Sequence, residues 1–138
     1  ATEGGPEVRL EIMGSQKLTV QGMDSRLVQV FRNLITNAMT FSPPGGTIRI
    51  TAQRDRKTVV VTVDDDGPGI PPGKEEAIFQ RFYTERPQGE KFGTHSGLGL
   101  SISQQIVKAH EGTILASNRL GADGKVMGAR FTVTLPAA

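Results

Sequence analysis

Residues 59–70 read Val-Val-Val-Thr-Val-Asp-Asp-Asp-Gly-Pro-Gly-Ile, and this stretch decides the fold. Val59, Val61 and Val63 recur every second residue, the period of a half-buried β-strand. The strand cannot continue far past Val63. Three consecutive carboxylates follow, and then Gly67-Pro68-Gly69 removes a backbone donor and frees the chain to turn sharply. Just upstream, Ile48, Ile50 and Ala52 alternate in the same way. The polar Arg54-Asp55-Arg56-Lys57 between the two runs predicts a hairpin turn. A strand that ends in acids and glycines places carboxylates beside backbone that a ligand can approach closely. The same turn fails as a calcium loop, because Pro68 interrupts the required spacing and no Glu closes it.

Further outward, Leu27, Val30, Phe31, Leu34, Ile35, Ala38 and Phe41 recur at three- and four-residue spacing. They predict an amphipathic helix over 24–41, with Asp24 as N-cap and Ser42-Pro43-Pro44-Gly45-Gly46 as terminator. Before it, residues 1–6 read as a flexible lead-in. Val8–Ile12 and Lys17–Gln21 alternate on either side of Gly14-Ser15 and predict a hairpin. After the acidic turn, residues 74–82 predict a short helix with Ile78, Phe79 and Phe82 inward. Residues 84–96 are polar and aperiodic, long for an internal connection, and read as a mobile lid. A helix over 99–110 follows, stopped at Gly112, and then strands near 113–118 and 126–135. Strands interleaved with helices predict one α/β domain over residues 1–138. It is a two-layer sandwich, a mixed and mostly antiparallel sheet of about five strands packed on three helices.

Bulk properties agree with one soluble-type globular domain. The chain has 138 residues, 36% hydrophobic and 22% charged, which excludes a disordered chain. Sixteen basic and fourteen acidic side chains give a net charge of +2 without any like-charged run, so no nucleic-acid partner is expected. With no Cys, disulfides and thiolate metal sites are excluded. No apolar run approaches a membrane span, and no signal-peptide pattern opens the chain. Ala1 stands first rather than Met, and the expectation is an excised fragment of a longer protein.

Three constellations carry chemistry. Asn33 and Asn37 lie at i and i+4, on one face of the first helix and off its apolar stripe. Paired amides can coordinate a hard cation or bond phosphates, although two solvated asparagines would look the same. The carboxylates at 65–66 can accept a hydrogen bond from an exocyclic amine of a purine, or can simply charge a turn. Gly97-Leu98-Gly99-Leu100 at a helix start offers free N–H groups to an anion, or a hinge. It is not a dinucleotide fingerprint, since Ile102 replaces the third Gly. Gly73-Lys74-Glu75 is not a Walker-type loop either.

The order of these features resembles the ATP-binding catalytic domain of bacterial histidine kinases. That family belongs to the wider class that includes gyrase, the ninety-kilodalton heat-shock protein and the mismatch-repair ATPase. The resemblance runs from about Val8 to Pro136. Asn33–Ala38 is similar to the N box and Asp65–Ile70 to the G1 box. Phe79–Tyr83 is similar to the F box, Ser96–Leu100 to the G2 box, and Gly128–Phe131 to the last Gly-containing strand. The resemblance implies ATP and Mg²⁺ as ligands. Asp65 would bond the adenine amine, while Gly67, Gly69 and Ile70 shape its pocket. Asn37 would bind the metal and Asn33 the phosphates. Ser96, Gly97, Leu98, Gly99 and Leu100 would hold the phosphates at the start of the helix. Phe79, Phe82 and Tyr83 would join lid to body.

The implied reaction transfers the γ-phosphoryl group to a histidine on a separate dimerisation domain, which then passes it to a response regulator. The parent would be a homodimeric inner-membrane sensor with this domain in the cytoplasm. In the hydrolase relatives a Glu stands four residues before the metal-binding Asn. Here that position is Asn33, which cannot deprotonate water near neutral pH. Thr40 and Thr84 replace a Lys and an Arg common in the family, and Arg86 or Lys91 is expected to supply the missing phosphate cation. Neither His95 nor His110 fits the acceptor pattern; His110 fits a helix end. Alternatives are a nucleotide-binding regulatory module without phosphotransfer and an anti-sigma-factor-type serine kinase. The latter usually keeps the Glu that Asn33 replaces.

Overall fold

The computed structural model describes residues 7–13, 24–80 and 99–137. Their elements are β1 (Glu7–Met13), α1 (Asp24–Phe41), β2 (Thr47–Asp55), β3 (Thr58–Asp64), a 3₁₀ turn (Ala77–Phe79), α2 (Gly99–Ala109), β4 (Thr113–Leu120) and β5 (Val126–Pro136). The strands form one sheet in the order β1-β2-β3-β5-β4. β1 pairs with β2 in parallel, Val8 opposite Ile48; the other three pairings are antiparallel. A parallel neighbour requires a crossover, and α1 lies within it, a β-α-β unit at the edge of an otherwise antiparallel sheet. The expected partner of β1, Lys17–Gln21, lies outside the described residues, as does the lead-in at 1–6.

Both helices cover one face of the sheet. Leu27, Val30, Leu34 and Ala38 of α1 and Ile106 and Val107 of α2 pack on Ile48, Val63, Ile114, Phe131, Val133 and Leu135. Each such side chain contributes about 1.5–3 kcal/mol on burial. The period-two pattern therefore chose the buried face: odd-numbered valines of β3 point to the helices, and Thr62 and Asp64 to the other side. The β2–β3 hairpin closes in two residues, Arg56 and Lys57, with Asp55 opposite Thr58 and Arg56 at φ 58°.

One expectation is corrected, and one gains its physical reason. The helix over 74–82 is only the turn Ala77–Phe79 among the described residues. Gln80 is already extended, at φ −75° and ψ 150°, and Glu76 supplies no side-chain cap. The six residues between Gly73 and Gln80 are too few to offset the cost of helix nucleation, and only three of them take up the turn. Among the described residues two α-helices and this 3₁₀ turn pack in the core against the sheet. At the end of α2 the left-handed residue is Glu111, at φ 63°, rather than Gly112. Gly112 N–H donates to Val107 O (2.9 Å) and Glu111 N–H to Lys108 O (3.0 Å), a Schellman closure. Gly112 is needed for space: a Cβ there would collide with the Thr134 carbonyl.

Candidate functional site

The three consecutive acids do different things. Asp64, buried at the end of β3, is held by Arg130 through two parallel bonds, Nε to Oδ1 at 2.7 Å and Nη2 to Oδ2 at 2.9 Å. Arg119 adds a longer contact to it at 3.9 Å. The pairing in turn pushes the Arg130 guanidinium pKa up. Asp66 is also engaged, because it accepts from Thr47 N–H at 2.8 Å and from Arg119 at 3.2 Å. Asp65 is different. It is 3% exposed, and its Oδ1 accepts from Gly67 N–H (2.9 Å) and Ala129 N–H (3.0 Å). Its Oδ2 takes no hydrogen bond among the described residues. Burial raises the Asp65 pKa above the usual Asp value; the two N–H donors and the Arg119 charge oppose that, and Asp66 adds to it. The result is one carboxylate oxygen free to accept from an N–H donor that can match it in a partly dry site.

The G1 turn is fitted to its neighbours. Gly67 lies against the end of α1, where a Cβ would sit 2.7 Å from the Phe41 carbonyl oxygen. Ser42, buried just past that helix, accepts from Asp66 N–H at 3.2 Å. Gly69 has φ +86°, a region that disfavours any side chain. Ile70 places its side chain in the core, and its main chain is bonded to the Asn118 side chain on β4.

Asn37 lies one helical turn, about 6 Å of rise, before Phe41. Gly67 and Asp66 touch that end of the helix, through Phe41 and Ser42, so the Asp65 turn lies beside the C-terminal end of the helix that bears the twin amides. The Asn37 side chain is half-buried and has no protein partner among the described residues. Its carbonyl oxygen suits Mg²⁺, which takes one or two protein oxygens together with water and substrate phosphates. Asn33 is committed instead. Its Nδ2 donates to Gly99 O (3.3 Å) and Ser103 Oγ (3.2 Å), tying α1 to the first turn of α2. Gly99 begins that helix, with Leu100 half-buried behind it. Thr40 turns its hydroxyl back to Thr36 O at 3.0 Å. Phe79 is buried and meets Phe131 edge to face, centroids 6.1 Å apart.

Phe82, Tyr83, Arg86, Lys91, His95, Ser96, Gly97 and Leu98 lie outside the described residues, together with the expected lid. Sequence reasoning missed Asn118, Arg119, Arg130 and Ser42. For Asn118 a signal existed: asparagine is disfavoured inside a strand and so needs a local reason. Among the described residues no cluster of three His, Cys, Asp or Glu side chains is arranged to hold a metal, and no helix is long and apolar enough to cross a membrane.

Comparison with known proteins gives concordant results. Residues 22–138 match the family described as histidine kinase-, DNA gyrase B- and HSP90-like ATPase. The sensor protein ChvG of Rhizobium meliloti is 50% identical over 119 residues, 86% of this chain and 21% of that protein. The catalytic domain of the histidine kinase ThkA superimposes with a TM-score of 0.77 at 31% identity, covering 94% of this chain and 79% of the other. Full-length ShkA in complex with AMPPNP gives 0.78 at 29% identity, over 99% of this chain and 26% of that one. The chain spans about a fifth of the length of ChvG. The chain belongs to the histidine kinase-, DNA gyrase B- and HSP90-like ATPase family, as an ATP-binding catalytic domain of the sensor histidine kinase type.

Proposed function

We propose that this domain binds ATP with Mg²⁺ and passes the γ-phosphoryl group to a histidine on a separate dimerisation domain of its parent protein, from which a response regulator receives it. The observation that carries the reading is the free Oδ2 of buried Asp65, beside the end of the helix that bears Asn37. Asp65 accepts from the adenine amine. Gly67 and Gly69 shape its pocket by letting the turn press against Phe41 and Asn118. Asn37 offers its oxygen to the metal, which neutralises phosphate charge when bound. The N-terminus of α2 faces the phosphates with its free N–H groups.

Asn33 holds α2 against α1, and its phosphate contact requires one of those two bonds to be exchanged for the ligand. In the transfer step an imidazole nitrogen forms a bond to phosphorus as the bond to the ADP oxygen breaks. No base is needed if the imidazole is neutral, and an amide rather than a carboxylate at position 33 agrees with that chemistry. Arg86 or Lys91 supplies the cation that Thr40 cannot. ShkA was solved with AMPPNP and ThkA with the response regulator TrrA, which supports the ligand and the partner by likeness. We read the parent as a homodimeric inner-membrane sensor that keeps this domain in the cytoplasm, as the resemblance of the sequence boxes implies.

The test is calorimetric titration of an ATP analogue with and without Mg²⁺, on wild type and Asp65→Asn, followed by radiolabelled ATP with a matching histidine-bearing helical domain. Metal-dependent binding that Asp65→Asn abolishes, with label on the histidine, supports the proposal. A domain that ignores adenine nucleotides refutes it. Binding without transfer leaves only a regulatory module, which the internally bonded Thr40 would favour.

A further inference from the structure

We infer that Asn118 is a positioning residue for nucleotide recognition, a clip that fixes the Asp65–Ile70 turn on the sheet. The inference rests on the reading that Asp65 takes the base amine. Ile70 belongs to no strand, yet its main chain is paired as if it did. Ile70 N–H donates to Asn118 Oδ1 at 2.6 Å, and Asn118 Nδ2 donates to Ile70 O at 2.9 Å. One side chain thus uses a donor and an acceptor to imitate a strand partner across 48 positions of sequence.

The register makes this more than a local bond. Asn118 on β4 stands opposite Ala129 on β5. Ala129 N–H donates to Asp65 Oδ1 at 3.0 Å, and Asp65 N–H donates to Ala129 O at 3.0 Å. Both ends of the turn are therefore tied to a single rung of the β4–β5 ladder, Asp65 through Ala129 and Ile70 through Asn118. The glycines between span the gap. A Cβ on Gly69 would sit 2.7 Å from Asn118 Oδ1, so the turn rests directly on the amide. Oδ1 of Asp65 is consumed by this arrangement and Oδ2 is left for the ligand. If the clip is cut, the Ile70 end is released, the turn samples other shapes, and Oδ2 no longer meets the base in one orientation. A residue that acts by pre-organisation should affect recognition of the base and not of the phosphates.

The experiment uses the domain with two probes, an ATP analogue and inorganic tripolyphosphate, on wild type, Asn118→Ala and Asp65→Asn. Asn118→Ala is expected to raise the analogue's dissociation constant about tenfold, from the loss of two main-chain bonds. Tripolyphosphate affinity should stay within about twofold, below what a lost hydrogen bond would give. An unchanged analogue affinity in Asn118→Ala, with Asp65→Asn defective, overturns the clip and leaves the base reading standing. Normal analogue binding by Asp65→Asn overturns the base reading, and the clip with it. Equal loss for both probes overturns the clip as well, because general damage would not spare the phosphates. Should Asn118→Ala not fold, Asn118→Asp is judged by the same two constants; it matches Asn in shape, keeps the acceptor for Ile70 N–H and loses the donor to Ile70 O.

Discussion

Gly69→Ala tests whether the turn is as tightly fitted as its contacts imply. Two costs add. An alanine at φ +86° is strained by about 1–2 kcal/mol. Its Cβ would also lie 2.5 Å from Val126 Cγ1 and 2.7 Å from Asn118 Oδ1. Val126 is 45% exposed and can rotate away, whereas Asn118 cannot yield without breaking its 2.6 Å bond to Ile70. Overpacking of that kind costs about 1–3 kcal/mol. The sum centres on about 3 kcal/mol, against a stability of about 5–15 kcal/mol for a domain of this size. In urea, with a slope near 2 kcal/mol per molar, the midpoint should fall by about 1.5 M. The geometry also predicts coupling. Asn118→Ala alone should cost about 1–2 kcal/mol through its two lost bonds. In the Gly69→Ala background the clip is already displaced, so the double variant should be about 1 kcal/mol more stable than the sum of the two single changes. Circular dichroism of nucleotide-free protein across the four variants measures this. Strict additivity, or a shift in midpoint too small to resolve for Gly69→Ala, would show that the added methyl group and the Asn118 amide do not compete for space.

Asp65→Asn should change the pH dependence of stability in a defined direction. Because the folded-state pKa is raised, the native state binds a proton more tightly than the unfolded chain does. The Asp65 contribution is then fully present below the unfolded value near 4 and is lost as pH rises through the raised folded value. Denaturation from pH 4 to pH 8 should show wild type losing ground to Asp65→Asn over that window; a constant difference would contradict the burial effect. Glu111→Gly should stabilise the domain by about 0.5–1 kcal/mol, since Glu111 holds φ 63° in the Schellman closure of α2 and glycine adopts it freely. A lower melting temperature for Glu111→Gly would refute that account of the helix end.

Most of the fold was legible because period is a direct record of burial. The spacing of Leu27, Val30, Leu34 and Ala38 gave α1 its bounds, and those four are its buried residues. The valines of β3 gave the strand and its inward face. What failed were features set by distant partners. The alternation at residues 8–12 predicts the strand β1, but its parallel pairing with β2 was not read, because that pairing depends on where α1 carries the chain. The motif Ala77-Ile78-Phe79 looks helical because its apolar residues do pack inward, yet inward packing needs only a single 3₁₀ turn. Glycine at position 112 did mark the helix stop, but its reason, the nearby Thr134 carbonyl that excludes a side chain there, could not be read from the sequence.

The same distinction governs the site. From the sequence alone, Asp64, Asp65 and Asp66 are equivalent carboxylates, and only the resemblance singles out Asp65. In the fold they are sorted by what stands opposite. Two arginines neutralise Asp64, and Thr47 N–H with Arg119 occupies Asp66. Arg119 makes a third contact, since it also donates to the main-chain carbonyl of Asp65. That bond holds the backbone of the reading residue without touching its carboxylate. Arg119 and Arg130 therefore stabilise the turn while leaving Asp65 Oδ2 without a hydrogen bond among the described residues. A carboxylate oxygen already committed to a protein donor must give up that bond before it can serve a ligand, whereas Asp65 Oδ2 need not. This is why the least satisfied of the three acids, and not the most strongly paired, is the one expected to recognise the base.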